Sequence, residues 1–187
     1  MGSPKKRKKD SLTYYLMGLP ALFLFLGFYL YPALQNLQFA TRRWDGITEP
    51  EFVGFRNFTN LLTNDDLFYK TLGNNLEFTF LVVIFQTMFA LLFAVYLVNN
   101  SKTNIALRTL YFFPTILSSV SVGMIWLFLY DPNFGALNLF FNKVGLSSFA
   151  LNWLGEENSA LYAIAFTQVW FHTGQMMVVY IAGLQQI

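Results

Sequence analysis

The sequence predicts an all-α, polytopic membrane protein with four spanning helices, and three observations carry that expectation. Hydrophobic residues make up 55% of the 187 residues and charged ones only 12%, about half the charged share of an ordinary soluble domain. Four stretches, 11–41, 78–101, 109–130 and 158–187, contain no Asp, Glu, Lys or Arg. Each exceeds the about 20 residues that an α-helix needs to cross a hydrocarbon core. Third, four such helices in a soluble chain this short would leave almost nothing to cover them. The chain has no cysteine, which excludes disulfides, thiolate nucleophiles and Cys-based metal sites.

The elements follow in order. The chain opens on MGSPKKRKKD, with five Lys or Arg between Lys5 and Lys9, and a basic cluster beside a first span resists translocation. Residues 1–13 are therefore expected as a cytoplasmic tail and 14–36 as the first span, with Pro20 and Pro32 near its two ends. PKKRKKD also matches a nuclear-import pattern. Beside a membrane span it reads as a cytoplasmic anchor, and no nucleic-acid partner is expected. Residues 37–77 form an extracytoplasmic loop. Within it RNFTNLLTNDDLFYKTL places Phe58, Leu61, Leu62, Leu67 and Phe68 at roughly helical spacing, the pattern of a short helix on the membrane surface.

Residues 78–98 are the second span, with Gln86 and Thr87 near mid-depth, and 99–108 a cytoplasmic loop. Residues 109–130 are the third span, 131–160 a second extracytoplasmic loop and 161–184 the fourth span. On this topology the inner segments hold seven Lys or Arg against one acid, and the outer ones five against nine. That is the positive-inside bias, although Arg42 and Arg43 run against it. No small-residue cleavage site precedes a soluble domain, so the first span does not read as a signal peptide.

Polar groups within the spans are the next signal, because an amide or imidazole in hydrocarbon needs a partner or a wet cavity. Gln168, His172 and Gln175 fall at i, i+4 and i+7, on one helix face. Thr115, Ser119 and Trp126 share a stripe in the same way, with Ser118 and Ser121 close by, and Thr79 and Gln86 do so on the second span. Two readings stand: interhelical packing contacts of about 0.6–2 kcal/mol each, or the wall of a substrate pathway. For Thr115, Ser118 and Ser119 packing is expected; for the Gln168 face both readings stay open. His172 is the only histidine, and without a carboxylate nearby it makes a poor metal ligand or proton relay.

Pro114 removes a backbone hydrogen bond and predicts a bend. There is no phosphate-binding glycine loop, no HExxH and no pair of carboxylates within a span. No catalytic residue, bound metal or cofactor is expected, so the chain is not expected to be an enzyme. Energy for uphill transport has to come from a partner, the membrane potential or further sequence.

The stretches FVGFRNFTNLLTNDDLFYKTLGNNLEFTF, LRTLYFFPTILSSVSVGMIWLFLYDPNFGALN and NWLGEENSALYAIAFTQVWFHTGQMMVVYIAGLQQI resemble permease subunits of binding-protein-dependent ABC sugar importers of the maltose and multiple-sugar type. The anchors are Arg108, Pro114, Trp126, Asp131, Pro132, Gly135, Asn138, Trp170 and the closing Ala182, Gly183, Leu184 and Ile187. The resemblance implies a type I importer permease fold of six spanning helices, of which four are visible. The chain would then be truncated, with 185–187 the start of a missing cytoplasmic coupling loop.

It also implies a prokaryotic cell membrane, a second homologous permease, an extracytoplasmic sugar-binding protein docking on the outer loops, and two ATPase subunits that hold ATP and Mg. Import would proceed by alternating access. In the maltose branch the segment before the coupling loop lines the sugar site, and the matching positions here include Phe171, His172 and Gln175. Sugar hydroxyls need amide or imidazole partners, while ring CH faces stack on aromatics. Trp126, Tyr130 and Trp170 are the available stackers, and Gln168 continues the polar face. Two alternatives remain: a related permease for a glycerol-phosphate ester or a peptide, or a non-transporting scaffold or channel subunit. The visible spans carry no Arg or Lys for a phosphate, which favours a neutral solute.

Overall fold

The structure, a computed structural model, describes residues 4–186, with side chains from residue 13 onward. The side chains of the basic cluster therefore lie outside the described residues, as does Ile187. The chain is mostly helical and divides into two compact units, residues 1–69 and 70–187.

In the first unit the expected span 14–36 lies within a longer helical rod. It consists of α1 (Pro4–Phe25), a π-turn (Leu26–Leu30) and α2 (Tyr31–Ala40). Pro32 explains the π-turn: it has no N–H to offer the carbonyl four residues back, and its ring crowds that carbonyl. Helical backbone already begins at Pro4, inside the segment expected as a tail. A two-residue ribbon follows, β1 (Arg42–Arg43) antiparallel to β2 (Glu51–Phe52), a small exception to the all-α expectation. Asp45 organises its turn by accepting from the Ile47 and Thr48 amides and the Thr48 hydroxyl. Those bonds favour the carboxylate and hold Asp45 down at about 2.

Next comes α3 (Arg56–Asn64), tied back by Asn57, whose amide donates to the carbonyls of Ala40 and Arg42. The structure corrects the surface helix read across 56–72. Asp65, with φ −113° and ψ 87°, breaks it. Phe58, Leu61 and Leu62 lie on α3, whereas Leu67 and Phe68 open α4 (Asp66–Leu97). The Asp65 carboxylate accepts from the Phe68 amide at 2.9 Å, so one residue ends one helix and starts the next. As a result α4 has 32 residues, where hydropathy alone predicted 78–98.

The third expected span, 109–130, is not one helix. It is α5 (Lys102–Ile116) and α6 (Ser119–Leu129), which meet at 97°. Leu117 and Ser118 are both extended, and the Ser118 hydroxyl accepts from the Ser121 amide as the N-cap of α6. Pro114 sits in α5 one turn before the break. The serines expected to be packing contacts therefore include a helix start, a position at which Ser is strongly preferred.

The loop 131–160 folds as a small knot around α7 (Ala136–Lys143) and a 3-10 turn (Ser147–Phe149). Asp131 accepts from the Asn133 and Phe134 amides. A Cβ on Gly135 would lie 2.3 Å from the Asp131 carbonyl oxygen, so only glycine fits there. Asn138, buried, donates to the Pro132 and Leu151 carbonyls at 3.2 and 2.9 Å and accepts from the Trp153 indole at 2.8 Å. We expect Asn138→Asp to destabilise the protein by about 2–4 kcal/mol, because the carboxylate cannot donate and two carbonyls lose their partner. Thermal unfolding in detergent checks this, and a melting temperature equal to wild type would rule out the knot.

Among the described residues two helices are long and apolar enough to cross a membrane, Thr13–Ala40 and Asp66–Leu97, or three if the bent α5–α6 pair counts as one span. The expected fourth, 161–184, is α8 (Glu157–Leu184). At 28 residues it has the length, but the polar groups along it leave it less apolar than the others.

Candidate functional site

The second unit is built around α8. Ala90, Ala94 and Leu97 of α4 pack on Met177 and Ile181 of α8, and Met177 is fully buried. Alanines one turn apart let the helices approach closely, the usual device where lipid supplies no hydrophobic drive between helices. α5 crosses α8 at Gly174, where a Cβ would fall 1.9 Å from the Tyr111 carbonyl oxygen. One turn away Thr115 donates its hydroxyl to the Phe171 carbonyl at 2.9 Å.

α6 meets α8 through an aromatic cluster. Trp126 lies 5.0 Å from Tyr130, 5.5 Å from Phe166 and 5.4 Å from Trp170, ring centre to ring centre. The Tyr130 hydroxyl donates to the Ala163 carbonyl at 2.8 Å and lies 3.2 Å from the Thr167 hydroxyl. Trp126 is 8% exposed, and its indole N–H is the one buried side-chain polar atom without a partner among the described residues.

These contacts use one side of α8. Most of its buried positions, Ser159, Ala163, Val169, Thr173, Gly174, Met177 and Ile181, form one stripe, and Ala165, also buried, lies off it next to the His172 position. On a helix of 3.6 residues per turn, Gln168 and Gln175 lie across the axis from that stripe. His172 flanks them, its ring centre 4.3 Å from that of Phe171 and tilted by 40°. Gln175 is exposed and Gln168, Phe171 and His172 are half-buried. Among the described residues the side chains of Gln168, His172 and Gln175 make no hydrogen bond.

The six residues singled out from sequence thus fall into two groups. Gln168, Phe171, His172 and Gln175 share or border the open face. Trp126 and Trp170 meet edge to face on the packed side, with Trp170, partly exposed, at the edge of a cleft of about 450 Å³ between α4, α5 and α8. Ile164 and Val179 extend the open face and were not singled out, although the same helical spacing carried in both directions includes them. Both are exposed.

At the far end of α8 the Gln185 amide donates to the Val98 carbonyl and to Asn100. The Arg108 guanidinium donates to the Leu97 and Asn99 carbonyls and the Asn100 side chain. A cation there satisfies carbonyls that the last turn of α4 leaves open and complements its dipole. In the sequence Arg108 showed as an inner basic residue and a resemblance anchor, but its acceptors, mostly backbone carbonyls, could not be read from composition.

The chain is similar to a probable ABC transporter permease protein of Pyrococcus horikoshii, 31% identical over 183 residues, covering 97% of this chain and 62% of that protein. It is likewise similar to the trehalose/maltose transport system permease protein MalF of Thermococcus litoralis, 30% identical over 184 residues, covering 98% and 61%. Among solved structures a chain of a bacterial alginate ABC transporter, in complex with an alginate pentasaccharide-bound periplasmic protein, superposes with a TM-score of 0.81. Identity there is 22%, and the match covers 98% of this chain and 60% of that one. The chain thus spans about three fifths of the length of the proteins it matches. No protein-family model matches it.

Proposed function

We infer that this chain, whose sequence and fold are those of an ABC transporter permease subunit over about three fifths of such a subunit, forms part of the transmembrane route of an ATP-driven carbohydrate importer. The observation that carries the reading is the open face of α8. Two amides and an imidazole cross the middle of a bilayer-length helix, opposite its packed side and without partners in their own unit. Facing acyl tails, each would cost free energy; lining a wet route, each is a hydrogen-bond partner for a hydroxyl.

On this reading the fold is the type I importer arrangement, with α1–α2, α4, the bent α5–α6 pair and α8 as four spans of six. The basic amino terminus is cytoplasmic, as the positive-inside bias supports, and the membrane is a prokaryotic cell membrane. A second permease faces the Gln168–Gln175 stripe and completes the route. Two ATPase subunits hold ATP and Mg, and a sugar-binding protein docks on the outer segments 42–75 and 131–157. This chain carries no catalytic residue and no cofactor. Phe171 stacks against the sugar beside His172, while Trp126 and Trp170 support α8 from behind.

Gln175→Ala in the assembled transporter is expected to lower sugar-stimulated ATP hydrolysis about tenfold without reducing assembly, the effect of leaving a substrate hydroxyl unpaired. Uptake of several candidate sugars at the wild-type rate would remove Gln175 from the route.

A further inference from the structure

α3 (Arg56–Asn64) is two-faced. On a helix of 3.6 residues per turn Phe55, Phe58 and Leu62 fall within about 60° of one another, and Arg56, Asn60 and Thr63 fill a similar arc across the axis. Phe55 is 77%, Phe58 44% and Leu62 57% exposed. Two phenylalanine rings 6.0 Å apart and a leucine thus form an apolar stripe that the first unit leaves open.

The ties of α3 fix where that stripe lies. Asn57, on the flank of the helix about 100° from Phe58, donates to the carbonyls of Ala40 and Arg42 at the end of α2. At the other end Asp65 alone separates α3 from α4, and the Tyr69 hydroxyl donates back to the Leu62 carbonyl. Both α1–α2 and α4 contain stretches long and apolar enough to cross a membrane. A chain that leaves a bilayer through α2 re-enters it through α4 from the same face. A helix pinned to the end of the one and the start of the other lies along that face.

Depth follows from length. The 28 residues of Thr13–Ala40 rise about 42 Å, against about 30 Å of hydrocarbon and about 40–45 Å with the headgroups included. Ala40 is then at headgroup level on its side of the bilayer. Trp44 marks the same level, its ring stacked on Phe39 at 5.0 Å and its indole N–H donating to the Thr48 carbonyl, as the amphipathic rings of an interfacial belt do. Residues 41–66 carry three Arg against five acids, so attraction to anionic lipid does not hold α3 down and apolar area has to.

We propose that α3 is an in-plane membrane-interface helix, with its Phe55–Phe58–Leu62 stripe seated among the upper acyl chains of zwitterionic lipid and its Asn60 side in water. The occupant of the stripe is lipid and not a partner protein. Held there, α3 keeps the β1–β2 ribbon at the surface and sets where α4 enters the bilayer.

The test is cysteine scanning, since the chain has no cysteine of its own. Phe58→Cys, Leu62→Cys, Asn60→Cys and Asn64→Cys, all at exposed positions, are nitroxide-labelled in the protein isolated with whatever subunits accompany it. Each is reconstituted into phosphatidylcholine vesicles, and the wild type treated alike gives the background. Power saturation by oxygen and by a water-soluble nickel chelate reads depth. Labels at 58 and 62 should lie about 5–10 Å inside the phosphates and collide more with oxygen than with nickel, while at 60 and 64 nickel should dominate. The same depths should hold when phosphatidylglycerol is added. Three results would overturn the proposal: nickel contact at 58 and 62 equal to that at 60 and 64, shielding of 58 and 62 from both reagents by a covering protein, or insertion that requires phosphatidylglycerol. Depth is read without transport, so the result is independent of the carrier reading.

Discussion

Gly174→Ala is expected to unfold the α5–α8 junction. The added methyl would meet the Tyr111 carbonyl oxygen at 1.9 Å and its carbon at 2.5 Å, both backbone atoms that no rotamer change can move aside. Relief requires α5 to withdraw. That breaks the Thr115–Phe171 hydrogen bond and disturbs the Phe93–Tyr111 stack at 4.5 Å. Overpacking of this kind costs about 3 kcal/mol or more, a substantial share of a domain's net stability. Gly123→Ala and Gly183→Ala are the controls, since a Cβ at either has nothing within 4 Å. They should be neutral or stabilise by up to about 1 kcal/mol through helix propensity. The three variants are compared by thermal unfolding and monodispersity in detergent. Equal behaviour would show that α5 and α8 do not touch at Gly174.

Arg108→Ala should also be strongly damaging. Its guanidinium gathers the carbonyls of Leu97 and Asn99 and the side chain of Asn100, which also accepts from Gln185. Removing it leaves the last turn of α4 and the connection to α5 without their cation. It also frees the end of α8 from the group it leans on. A loss of about 2–3 kcal/mol follows from charge-assisted bonds to half-buried carbonyls. Arg108→Lys should recover less than half of that, because an ammonium on a flexible stem cannot hold three acceptors in a fork. Hydrogen exchange at residues 98–101 reports the effect locally. Unchanged protection in Arg108→Ala would remove the residue from this role.

The α4–α5 connection also shows what kinds of contact a sequence conceals. Arg108 was visible as a basic residue at an inner boundary, which orientation rules explain well enough. Its structural use depends on three acceptors brought within reach by chain reversal, and no local pattern encodes them. Ser118 differs in kind: it is a residue type favoured at N-caps, in a place where Pro114 had already weakened the helix. A bend at Pro114 was expected there, but not a break at Leu117 and Ser118. The 97° turn that follows was not readable either, because the angle depends on where Trp126 and Tyr130 find Phe166 and Ala163.

Length and apolarity were enough to find helix within 14–36, 78–98 and 161–184, but not the break that makes 109–130 two helices or the 32-residue length of α4. Helical spacing was likewise enough to gather Gln168, His172 and Gln175 on one face. It could not show whether that face was covered. Only the tertiary structure put Ala163, Gly174 and Met177 in contact with neighbouring helices and left the amides open. It also separated Trp126 and Trp170 from the polar stripe and parted α4 from α8 into a cleft. The physical reason is range. Helix formation and amphipathic phase are properties of neighbours in sequence, whereas crossing angle, coverage and cavity are settled by side chains that meet only after the chain has turned back on itself.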